Sequence, residues 1–102
     1  MGPARGLKAG RSTAVEITLK LFATLGDYLP QEMNGKVRVH NQLCLEVADG
    51  TTVQAVIDQM RLPAKLTHLV LVNGIYIPPP SRATHPLRAG DALAVWPPIA
   101  GG

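Results

Sequence analysis

A chain of 102 residues, 46% of them hydrophobic and with a mean hydropathy of +0.12, can enclose one modest core and leaves no material for a second domain. Its single cysteine, Cys44, excludes an internal disulfide and a cysteine-based metal cluster, and it lacks the long apolar run that a membrane-spanning helix or a secretory signal would need. The formal charge of +3 is unevenly placed: Arg5, Lys8 and Arg11 stand in an acid-free opening stretch, leaving seven Lys/Arg against seven Asp/Glu from Val15 onward. A neutral body argues against a nucleic-acid face, so residues 1–14 are expected to be a disordered basic leader and the protein a cytoplasmic one, with neither nucleic acid nor membrane as partner.

The first expected strand is "VEITLKLF", in which Val15, Ile17, Leu19 and Leu21 face a core while Glu16, Thr18 and Lys20 face away. Phe22 falls on the polar parity. Residues 23–42 carry the breakers Gly26, Pro30, Asn34 and Gly35 and are expected to form a long loop, with a short helical turn around "TLGDYL". "LCLEV" resumes alternation. One helix follows, predicted from Thr51 and Gln54 at capping-box spacing, from Val53, Val56, Ile57 and Met60 on one face, and from Pro63 as a stop after Leu62. "HLVLV" reads as a buried strand, Asn73–Gly74 as a hairpin turn, "IYI" as the return strand and "PPPSRATHPL" as loop. Gly90 and Asp91 then turn the chain into "ALAVW", where Leu93 and Val95 point inward and Trp96 outward. The expected architecture is α+β, a small mixed sheet over one main helix.

The chain offers no catalytic constellation. His40, His68 and His85 are scattered, with no Cys, Asp or Glu at ligand spacing, so no metal is expected. No acid pair suits general acid and base work, no glycine-rich loop precedes the helix, and Cys44 is expected to be a packed strand thiol. What remains is the end, "WPPIAGG". Phe22 and Trp96 have outward parity, although exposing large rings gains a small soluble domain nothing, and they suggest a docking surface. Pro97 and Pro98 favour a stiff, extended exit. The six residues 97–102 reach about 20 Å when extended, enough to put a terminus into another protein's buried site. Gly101 and Gly102, without Cβ atoms, could pass a narrow channel.

In this order after a capped helix, "VLVNG", "LRAGD" and "WPPIAGG" resemble the MoaD/ThiS family of sulfur carriers over about 15–102. The resemblance implies a ubiquitin-like β-grasp fold spanning 15–98, with an extended C-terminal Gly-Gly tail at 99–102. It implies no enzyme activity in isolation and no bound cofactor. An E1-like enzyme would use ATP to adenylate Gly102, with Gly101 behind it, and a sulfur donor would convert the adenylate to a thiocarboxylate. It further implies that Phe22, Trp96, Pro97, Pro98, Ile99 and Ala100 meet the partner. The Pro-Pro pair is closest to the small subunit of molybdopterin synthase, whose tail enters the large subunit to build the molybdenum or tungsten cofactor. A thiazole-type carrier, another biosynthetic carrier with its own acceptor enzyme, and a ubiquitin-like protein modifier remain open. Two departures from compact members are the loop at 23–42, which is longer, and the leader at 1–14, which has no counterpart.

Overall fold

The structure, a computed structural model, describes residues 14–98; residues 1–13 of the expected leader and Ile99, Ala100, Gly101 and Gly102 lie outside the described residues, and Ala14, expected to end the leader, instead opens the first strand. Five strands form one mixed sheet: β1 (Ala14–Leu21), β4 (Gln42–Ala48), β5 (Leu69–Val72), β6 (Ile75–Tyr76) and β7 (Ala92–Trp96), in the order β4-β1-β7-β5-β6. The neighbouring strands β1 and β7 are parallel, and every other pair is antiparallel. One helix, α1 (Val53–Gln59), packs on one face of this sheet, giving the expected ubiquitin-like β-grasp.

Alternation decides which side of the sheet becomes core. Ile17, Leu19 and Leu21 of β1, Leu43, Leu45 and Val47 of β4, Val70 and Val72 of β5, and Leu93 and Val95 of β7 are all buried. They meet Val53, Val56 and Ile57 from α1 and Met60 at its C-cap. Each fully buried aliphatic side chain of this kind contributes about 1.5–3 kcal/mol relative to exposure. β5 corrects the expectation of a wholly buried strand. Only Val70 and Val72 enter the core, whereas Leu69 and Leu71 are half-buried on the opposite, helix-free face.

The helix starts one residue later than its capping-box spacing suggests. Thr51 already serves the preceding turn, donating from N–H and Oγ1 to the Ala48 carbonyl. Thr52, extended at φ −84°, is the true cap: its Oγ1 accepts from the Ala55 N–H at 3.1 Å. Gln54 donates instead to Asp58, one turn ahead. The helix also stops before Leu62, because Arg61 turns left-handed at φ +58°. Its N–H donates to the Asp58 carbonyl and that of Leu62 to Ile57, a Schellman closure with arginine where glycine is usual.

Residues 23–42 are more ordered than a long loop. Ala23–Tyr28 forms the expected helical turn, as a 3-10 segment that lowers Leu25 into the core, and Leu29 follows it there. Beyond it β2 (Glu32–Met33) and β3 (Lys36–Val37) pair as a small separate hairpin. Asn34 and Gly35, at φ +53° and +80°, build its turn as Asn73 and Gly74, at +52° and +83°, build that of β5–β6. Lys36 reaches over β4 to Glu16 on β1, 3.0 Å away. Glu16 stands directly opposite Glu46 in the register, a like-charge pair that this cation offsets. The Glu16 carboxylate holds the Lys36 ammonium above its ordinary 10.5.

Candidate functional site

The parallel register pairs Leu21 with Val95, so the next residues along, Phe22 and Trp96, emerge side by side on the face opposite the core. Their rings stack with centroids 4.0 Å apart and planes 4° from parallel. Both rings are half-buried. The Phe22 N–H donates to the Val95 carbonyl, fixing the backbone at the base of the stack. An aromatic pair of this kind contributes about 0.5–1.5 kcal/mol beyond its area.

Two neighbours extend the patch. Leu69 lies opposite Trp96 in the β5–β7 ladder, and the His68 N–H closes that ladder on the Trp96 carbonyl. Leu71 faces Ala94 on one side and Tyr76, 50% exposed, on the other. The result is an apolar strip across β1, β7, β5 and β6 that no helix among the described residues covers. Sequence parity found Phe22 and Trp96 but missed Leu69 and Leu71, because the all-apolar run Leu69–Val72 hides its own alternation. The two leucines that "HLVLV" spaces at i and i+2 were the available signal.

Pro97 and Pro98 follow Trp96 without joining the ladder, half-buried and exposed respectively, so the chain leaves the sheet at the edge of this strip. The next four residues assigned to the site, Ile99 to Gly102, are outside the described region. The other end of β7 is held by a polar clamp. Asn73 Nδ2 donates to Asp91 Oδ1 at 2.9 Å, Asn73 Oδ1 accepts from the Ala92 N–H at 2.9 Å, and Asp91 Oδ2 accepts from the Arg88 N–H at 2.9 Å. The Asn-Gly and Gly-Asp dipeptides are therefore one device, joining the hairpin turn to the start of the strand that carries the tail.

Cys44 takes the open-face parity and is half-buried, not a member of the core as a packed thiol would be. His40 and His68 are exposed and His85 half-buried. Among the described residues no group of three His, Cys, Asp or Glu side chains could hold a metal ion, and no helix is long and apolar enough to cross a membrane. Sequence reasoning also missed Arg82, 5% exposed within the presumed loop. Its guanidinium donates to the carbonyls of Ile77, Thr67 and His68 at 3.0, 3.2 and 3.2 Å, tying the segment after β6 to the start of β5.

Comparison with solved structures finds the same fold in three small archaeal proteins. The HVO 2177 protein of Haloferax volcanii superimposes with a TM-score of 0.65 at 25% identity, over 88% of this chain and 89% of that one. SAMP1 of Haloferax volcanii gives 0.59 at 24% identity, over 85% and 99%. Small archaeal modifier protein 1 (SAMP1) of Methanosarcina acetivorans gives 0.55 at 20% identity, over 87% and 98%. Comparison with curated proteins gives no significant match. The model of the ThiS family matches residues 31–102, from the β2–β3 hairpin through α1, the clamp and Trp96 to the final glycine, and the chain belongs to the ThiS family.

Proposed function

We propose that the protein is a sulfur carrier whose Gly102 carboxylate is activated and thiolated by partner enzymes, and that its sulfur goes to molybdopterin synthesis. The observation that carries this reading is the stacked Phe22–Trp96 pair at the root of the Pro97–Pro98 exit, on a helix-free apolar face. A partner seated on that face receives a tail that starts at its edge. A free carboxylate is a poor electrophile because its oxygen is a poor leaving group. An E1-like enzyme would therefore join Gly102 to the AMP portion of ATP, releasing pyrophosphate, and a sulfur nucleophile would displace AMP to leave a thiocarboxylate. Gly101 would keep the approach slender, and Ile99 and Ala100 would meet the partner. The carrier itself supplies no catalytic side chain. Molybdopterin synthase's large subunit is the acceptor favoured by the Pro-Pro pair.

The direct test is mass spectrometry of the C-terminal peptide after incubation with ATP, an activating enzyme and a sulfur donor. Replacement of one Gly102 oxygen by sulfur supports the carrier reading, and an unmodified terminus beside a demonstrably active enzyme sinks it. A second reading, conjugation of Gly102 to lysines of other proteins, draws on the name modifier carried by a structural neighbour. High-mass conjugates that vanish when Gly102 is deleted would favour it.

A further inference from the structure

Two Asn-Gly dipeptides build the two hairpin turns, and the surrounding structure treats them differently. Asn34–Gly35 and Asn73–Gly74 share one backbone shape, φ +53° and +80° against +52° and +83°, and a Cβ added to either glycine would meet nothing within 4 Å. The Asn73 carboxamide is held at both ends, Nδ2 donating to Asp91 Oδ1 and Oδ1 accepting from the Ala92 N–H, each at 2.9 Å. Its backbone N–H also donates to the Ala92 carbonyl. Asn34 is exposed, and neither its carboxamide nor its N–H makes a hydrogen bond among the described residues. The scaffolds differ as well. β5 lies inside the five-stranded sheet, and the Ile77 N–H ties its hairpin back to the Val70 carbonyl. β2–β3 has two residues a side, and a two-stranded pair of that size opens readily.

An asparagine before glycine can cyclise on its own backbone, because glycine has no Cβ to obstruct its nitrogen. At Asn34 the Gly35 nitrogen would attack Cγ. The new C–N bond forms as the bond from Cγ to Nδ2 breaks, and the Gly35 proton leaves with Nδ2 as ammonia. Water then opens the succinimide at either carbonyl, giving aspartate or β-linked isoaspartate. Nothing is oxidised or reduced, and water is the only co-reactant. The attack requires the carboxamide to turn onto the following peptide, which the free Asn34 side chain can do and the clamped Asn73 side chain cannot. We infer that Asn34 is a site of spontaneous deamidation in the folded protein, and that the clamp to Asp91 and Ala92 protects Asn73 from the same reaction. The product changes the hairpin. Isoaspartate lengthens the main chain by a carbon inside a two-residue turn, so Met33 and Lys36 lose their pairing. Either product also sets a carboxylate two residues from Lys36, in competition with Glu16, and leaves Glu16 facing Glu46 with a weakened hold on their cation. The segment 23–42 thus carries an ageing mark, whatever chemistry Gly102 undergoes.

The test is to age the full chain in mildly alkaline buffer, folded and in concentrated urea, then digest with trypsin at lower pH and weigh the peptides. Cleavage after lysine and arginine puts Asn34 in 21–36 and Asn73 in 66–82, and deamidation adds about 1 Da. Isomerisation at Asp49–Gly50 changes no mass and falls in 39–61, so neither peptide reports it. In the folded chain 21–36 should gain mass at least about tenfold faster than 66–82, and in urea the two rates should converge. Asp91→Ala should speed the gain at 66–82 several-fold, and Asn34→Gly, which keeps a turn-competent Gly-Gly pair, should abolish the gain at 21–36. In the aged protein, amide shifts should move at Met33, Lys36 and Glu16 and stay fixed at Asn73 and Asp91. Equal rates in the folded chain, or a difference that persists undiminished in urea and so belongs to local sequence, would overturn the inference.

Discussion

Truncating the stacked pair gives the sharpest measure of how the tail's root is built. Complete removal of a buried Phe or Trp side chain costs about 3–5 kcal/mol, and both rings here are half-buried, so Phe22→Ala and Trp96→Ala should each lose about 2 kcal/mol. The 4.0 Å stack adds a coupling of about 1 kcal/mol that either single change abolishes. The double variant should therefore lose about 3 kcal/mol, not the 4 or so of simple addition. Urea unfolding followed by far-ultraviolet circular dichroism measures all three losses with a common probe. Trp96 is the only tryptophan, so in Phe22→Ala its emission should move to the red as the ring gains water. Strictly additive losses would refute the stack. Single losses above about 4 kcal/mol would instead make the rings core residues and remove the basis for a docking face. If the docking proposal holds, Trp96→Asp should fold yet fail to acquire sulfur at Gly102.

Three further outcomes are expected. Arg61→Gly should stabilise by up to about 1 kcal/mol in urea unfolding, because relief of the left-handed strain at φ +58° exceeds the entropy glycine returns to the unfolded chain; a loss would overturn the Schellman assignment. Arg82→Leu should cost about 3 kcal/mol by leaving three carbonyls without their charged donor, and Arg82→Lys should cost nearly as much since one ammonium cannot span all three; a lysine variant as stable as the parent would contradict this. The Lys36 ammonium is held above 10.5 by Glu16, so its pairing stabilises the fold fully below pH 10.5 and is lost as pH climbs through the raised value. Lys36→Met should therefore flatten the alkaline decline in stability, and an unchanged decline would show the pair to be idle.

Strand positions with one polar face were legible in the sequence, because Glu16, Thr18 and Lys20 mark the outer side of β1 unambiguously. β5 was not: with leucine on both parities, only its neighbours in the sheet determine which residues enter the core. Asn34–Gly35 carried the same turn signal as Asn73–Gly74, yet the flanking Glu-Met and Lys-Val are too short and mixed to show a strand period. The helix cap was displaced by one because Thr51 and Thr52 are chemically equivalent, and the preceding turn claims the first of them. Arg82 was illegible because its burial depends on carbonyls contributed by Thr67 and His68, far away in the chain. The outward aromatics could be found by parity alone, but that they touch each other follows only from the parallel β1–β7 pairing, which joins the two ends of the domain.

That pairing also governs when the protein can fold. β7 is the last strand to be synthesised and lies between β1 and β5, so a nascent chain ending before Ala92 holds two pieces, β4-β1 and β5-β6, with no strand ladder between them. Closing the sheet requires a contact across most of the sequence, which makes folding slower than local assembly and defers it until β7 has cleared the ribosome. Once closed, the same geometry makes the tail's anchor the most protected segment of the sheet. Backbone amides of β7 should exchange with solvent only through global unfolding, so the residues leading to the tail should resist fraying under the pull of a partner better than either edge strand.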